Sequence, residues 1–130
     1  MSLPTSAAPA TASLGDACNN NVFIQDTTIP DGTVMKPGED FYKIWRVQNT
    51  GNCTWDEGYT LVLVTGDNLD GPTYKIQDKV DFVSPGETAD LGIKMTAHLK
   101  EGTYTGCWKM KSDTGFFFGT FLCVTIKVVK

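Results

Sequence analysis

At 130 residues, 41% hydrophobic and 20% charged, the chain has the length of one domain and a composition that excludes a disordered polymer. Eleven Lys and Arg stand against fifteen Asp and Glu, a formal charge of -4, and the basic residues are scattered, so no stripe tracks a phosphate backbone and nucleic acid is not an expected partner. No apolar run approaches the roughly 20 residues that span a bilayer, and no membrane insertion is expected.

Residues 1–15 are small, uncharged and rich in Pro, Ser, Thr and Ala, which is the chemistry of a disordered linker or an appended leader; residues 16–130 are read as the domain. Val22 to Asp26 reads as a short strand, and Ile29-Pro30-Asp31-Gly32 as a tight turn with Pro and Gly where fixed and positive φ are wanted. Thr33 to Met35 resumes an extended path, and Lys36-Pro37-Gly38-Glu39 turns into the most informative run of the chain. There Phe41, Trp45 and Val47 share one parity, opposed by Tyr42, Arg46 and Gln48, so a strand with one buried face is predicted. Asn49-Thr50-Gly51-Asn52 breaks it, and Cys53 and Trp55 follow at once.

Leu61 to Val64 reads as an apolar strand before a polar loop, Gly66 to Pro72, whose acids lack the spacing of a calcium loop. Val80 to Val83 is a candidate short strand. Ser84-Pro85-Gly86-Glu87 turns into Thr88 to Met95, where Ala89, Leu91, Ile93 and Met95 alternate with polar residues. Tyr104, Gly106, Trp108 and Met110 share the next strand's inner parity, and Phe116 to Val129 holds the last strand. Turns fall every eight to twelve residues and no 3.6-residue period appears, so the predicted fold is all-β, an Ig-like antiparallel sandwich of about seven strands. The expected core comprises Phe41, Trp45, Val47, Leu91, Ile93, Tyr104 and Trp108.

Four cysteines, at 18, 53, 107 and 123, allow three pairings, and none lies in a C-x-x-C unit. Cys107 and Cys123 flank the Asp113-Thr114-Gly115 turn almost symmetrically and would face each other across a hairpin, leaving Cys18 to join Cys53. The other reading is four free, small hydrophobes. With one histidine, His98, on a connecting loop, no metal site and no cofactor are expected.

The ordered set Ile29-Pro30-Asp31-Gly32-Thr33, Pro37-Gly38, Phe41-x-Lys43-x-Trp45, Asn49-x-Gly51-x-x-Thr54-Trp55, Gly66-Asp67, Val83-x-Pro85-Gly86-Glu87, Gly102-Thr103-Tyr104-x-Gly106-x-Trp108 and Phe118-Gly119 resembles the four-tryptophan domain, the Ig-like module of the autophagy receptor next to breast cancer gene one. The resemblance covers residues 22 to 129. Three family tryptophans map to Trp45, Trp55 and Trp108, and Cys123 stands where the fourth is expected in the last strand. The resemblance implies a non-enzymatic sandwich that binds other proteins. The leader and the even cysteine count are similar to bacterial, surface-exposed members, so an extracellular or cell-surface location is expected, with the cytoplasm as the alternative.

Five residues stand out as partner-binding candidates. Trp55 follows a turn and precedes Asp56-Glu57-Gly58, a setting in which an indole can present a face, and Tyr59 lies just beyond it; aromatic platforms of this kind also bind sugars, so carbohydrate is a further candidate partner. Lys43 contradicts its strand, lying between Phe41 and Trp45 on the buried parity, which requires an open face for its stem or a bulge that turns it outward. Phe116, Phe117 and Phe118 are consecutive and cannot all face inward, so Phe116 or Phe117 is expected to be exposed. No Gly-x-Ser-x-Gly, phosphate loop or carboxylate pair outside turn positions appears, so an enzyme is not expected. The leading function is a protein-binding module of a larger protein; the alternative is a structural spacer.

Overall fold

The computed structural model describes residues 17–130, and the linker expected over 1–15 lies outside them. Eight strands and one 3-10 turn make up the regular structure of the described residues: β1 Asn21–Asp26, β2 Thr33–Met35, β3 Asp40–Asn49, β4 Thr60–Gly66, β5 Tyr74–Lys75, β6 Thr88–Thr96, β7 Gly102–Lys111 and β8 Phe117–Val128. They form two layers, a three-stranded sheet in the order β1-β3-β6 and a five-stranded sheet in the order β2-β8-β7-β4-β5. The chain is therefore an Ig-like sandwich. All pairs but one are antiparallel; β2 runs parallel to β8, with Val34 opposite Lys127.

The period-2 pattern of β3 sets the core. Phe41, Trp45 and Val47 point inward, and Leu91, Ile93 and Met95 of β6 lie beside them in register, all buried. From the opposite sheet Leu61, Trp108, Met110, Leu122, Val124, Ile126 and Val128 close the other side. Trp45 and Trp108 meet across the layers with ring centroids 5.7 Å apart and planes tilted by 48°. Both are wholly enclosed, and burial of an indole contributes roughly 4–6 kcal/mol of gross transfer free energy. The Trp45 indole N–H donates to the Cys123 carbonyl at 2.8 Å, so the pair is held by a directed bond as well as by area.

Asn49 explains why the break after β3 takes its shape. Its buried carboxamide accepts from the Gly51 N–H at 3.0 Å and donates to the carbonyls of Cys53 and Val83, both at 2.9 Å. This folds the turn onto the distant Val83 segment, where Trp55 and Val83 form an isolated bridge. Gly51 packs directly on the Cys18 carbonyl, leaving no room for a Cβ. The two expected disulfides are present, Cys18 to Cys53 beside this turn and Cys107 to Cys123 between directly opposed residues of β7 and β8.

Two expectations are corrected. Residues 80–83 do not form a strand: Lys79–Asp81 is a 3-10 turn, and Val80, 88% exposed, has nothing to pack against. Tyr104 is half-buried rather than in the core, with its hydroxyl donating to the Lys100 carbonyl and its ring against His98. Cys123, at the place expected for the fourth tryptophan, lies on the outer parity of β8 between the buried Leu122 and Val124 and is bridged across the strands to Cys107.

Candidate partner-binding surface

Lys43 faces inward without a bulge or an open face. Its side chain is fully buried, and its ammonium donates to Asp26 Oδ1 at 2.6 Å and to the carbonyls of Thr28 and Ile29, each at 2.9 Å. All three of its hydrogens are thereby used. A bulge in β1 between Phe23 and Gln25 shifts the register so that Asp26 lies opposite Trp45, which brings the carboxylate within reach. The ammonium also stands 5.5 Å from the Trp45 ring centre. No proton or charge of Lys43 is left for a partner, and the reading of it as an accessible functional lysine is corrected.

Trp55 and Tyr59 are interior as well. Trp55 is wholly buried, tilted against Phe118 at 5.8 Å, and its backbone is bonded to Val83 in both directions. Tyr59, 4% exposed, meets the edge of Phe118 at 6.0 Å and donates its hydroxyl to Asn19 Oδ1 at 2.9 Å. Burial pushes its phenol above the ordinary tyrosine value; the Asn19 bond opposes this and Asp113 and Asp56 add to it. The carbohydrate reading required these two rings as exposed platforms, and neither offers a face.

The last of the five candidates lie outside. Phe118 turns inward and is buried, whereas Phe116 and Phe117 are 41% and 44% exposed. The strand then bulges: Met110 pairs with Phe118 but Trp108 pairs with Leu122, so β8 carries two extra residues between these pairs. Gly119 supplies the positive φ, +79°, and Asn21 of β1 pins the bulge by accepting the Thr120 N–H at 2.9 Å. The bulge leaves Phe121, 51% exposed, beside Phe23 of β1, which is 44% exposed. Phe23 and Phe121 escaped the sequence reading because one lies on the inner parity of an edge strand and the other beyond a bulge. The signal available was Phe118-Gly119, a glycine inside a strand pattern.

The residues assemble an exposed aromatic ridge along β8 and the edge of β1, on a hairpin bridged between Cys107 and Cys123. All four cysteines are bridged, and His98 Nε2 lies 2.8 Å from Asp67 Oδ2. The two-sheet architecture defines an Ig-like module. The chain belongs to the family described as the Ig-like domain from next to BRCA1 gene, whose family model matches residues 28–128.

Among relatives, Protein JOKA2 of Solanum tuberosum is 36% identical over 82% of this chain and 12% of its own length. Next to BRCA1 gene 1 protein of Homo sapiens is 35% identical over 72% of this chain and 10% of its own. The autophagy receptor Nbr1 of Schizosaccharomyces pombe is 28% identical over 83% and 28%. The chain thus spans a minor part of each. Native alpha-2-macroglobulin from Escherichia coli matches in fold alone, with TM-score 0.57 and 13% identity over 88% of this chain and 17% of that one. The expected bacterial, surface-exposed source draws no support from these relatives, which come from a plant, a mammal and a yeast. Among the described residues no helix is long and apolar enough to cross a membrane.

Proposed function

We propose that this chain is a non-enzymatic protein-recognition module of a larger protein, and that it meets its partner through the exposed phenylalanines of β8. The observation that carries this reading is the pair Phe117 and Phe121, 44% and 51% exposed on one face of a strand whose other face is the core. Aromatic side chains left half in water on a rigid sheet are the usual anchors of protein interfaces. Membership in a family whose members include an autophagy receptor supports the same reading.

That membership favours the cytoplasmic alternative, whereas the two cysteine bridges favour an oxidising compartment. Thiol labelling of protein taken from its native cells, read at Cys18, Cys53, Cys107 and Cys123, decides between them: all four labelled for the first, none for the second.

Affinity capture with the whole parent protein tests the recognition reading. The expected result is a partner retained by the wild type and lost with Phe117→Ser, Phe121→Ser, the variant melting like the wild type. Identical retention by both proteins would contradict the aromatic anchor, and absence of any partner would leave the structural-spacer reading in its place.

A further inference from the structure

Charge is divided unequally between the two layers. The five-stranded sheet contains Lys75, Lys109, Lys111 and Lys127 and not one Asp or Glu in any of its strands, although acids outnumber bases in the chain as a whole. On the other sheet two of the three strand cations are answered, Lys43 by Asp26 and Arg46 by a two-point bond to Asp90 at 2.9 and 3.1 Å, while Lys94 of β6 has no ion pair among the described residues. Lys109 and Lys111 have no such answer among the described residues.

Both lie on the outer parity of β7, alternating with the inward Trp108 and Met110, and both are half-buried. Each ammonium rests over one of the exposed rings, Lys109 at 4.9 Å from the Phe121 centre and Lys111 at 5.3 Å from the Phe117 centre. The rings restrict the lysines without neutralising them, so each ammonium keeps hydrogens for an outside acceptor. Cys107–Cys123 ties the two strands together on the same outer face, so little order is left to acquire on binding.

We infer that the outer face of β7 and β8 docks an acidic polypeptide segment, one that sets Asp or Glu carboxylates on Lys109 and Lys111 and an apolar side chain between Phe117 and Phe121. Two lysines at alternate positions of a strand are spaced by about 7 Å, the spacing of alternate side chains in an extended partner, so carboxylates at i and i+2 reach both at once. This inference rests on the protein-recognition reading and adds the partner's chemistry to it.

The test is an amide-shift titration of the 130-residue chain with three probes: a synthetic peptide alternating Glu with Leu, its Lys-with-Leu counterpart, and phosphatidylcholine vesicles containing phosphatidylserine. The expected result is that only the Glu–Leu peptide moves residues 109–111 and 117–121. Its affinity should fall about tenfold or more in Lys109→Glu, Lys111→Glu, and also between about 0.05 M and 0.5 M salt, with an unchanged melting temperature. The inference is overturned by no shift on that face, by equal binding of the charge-reversed variant, or by a response to vesicles alone. A natural partner that the charge-reversed variant retains but Phe117→Ser, Phe121→Ser loses would leave the recognition reading standing and overturn this one.

Discussion

Lys43 Nζ lies 2.6 Å from Asp26 Oδ1 with no part of the lysine side chain exposed, which makes the pair the one charged contact inside the sandwich among the described residues. A buried cation is tolerated because Asp26 and two carbonyls replace the water it gave up. Asp26→Ala removes the only counter-charge among the described residues and should cost about 3 kcal/mol, the low end for a broken buried pair because Asp26 keeps some solvent. Lys43→Met removes the charge itself and should cost less, about 1–2 kcal/mol for carbonyls left without a donor. Urea unfolding checks the order; the reverse order contradicts it.

The bulge that presents Phe121 depends on Gly119. A side chain there would be strained by its φ of +79° and would overlap the Asn21 carboxamide. Gly119→Ala should therefore destabilise by about 2 kcal/mol or more and shift the amide resonances of residues 117–121. An alanine variant as stable as the wild type would show that the bulge has another conformation open to it.

Both disulfides close loops, of 35 and 16 residues in sequence separation, and each should contribute about 2–4 kcal/mol. Thiol reduction should lower the melting temperature by more than about 10 °C. Calorimetry with and without reductant measures this, and coincident transitions would contradict it.

Tyr59 predicts an alkaline effect. Burial raises its phenol above the unfolded value, so the folded chain holds that proton more tightly. The corresponding stabilisation is complete below the unfolded value of about 10 and is lost as pH rises through the raised folded value. Urea midpoints followed from about pH 9 to pH 11.5 should fall less steeply in Tyr59→Phe than in the wild type. Equal slopes would contradict the assignment.

Legibility tracked how local each decision was. Alternation in β3 and β6 identified the inner face, because a strand states its parity within a few residues. Lys43 looked like an anomaly for the same reason: its parity was local, but its partner Asp26 lies 17 residues away, beyond a bulge. Trp55 and Tyr59 follow a turn and read as open, yet what covers them is Phe118, which no spacing announces. The parallel pairing of β2 was illegible because three residues carry no period. Phe116 to Phe118 forced some exposure by arithmetic alone, but where the exposed rings gather was decided by the bulge at Gly119.

The central claim is that this domain keeps its tryptophans for its core and Phe117 and Phe121 for its partner. Titrating one captured partner against two folded variants, Trp55→Phe and Phe117→Ser, Phe121→Ser, tests it most directly. The account predicts wild-type affinity for the first and at least about a tenfold loss for the second. Loss with Trp55→Phe at full affinity for the double variant would contradict it.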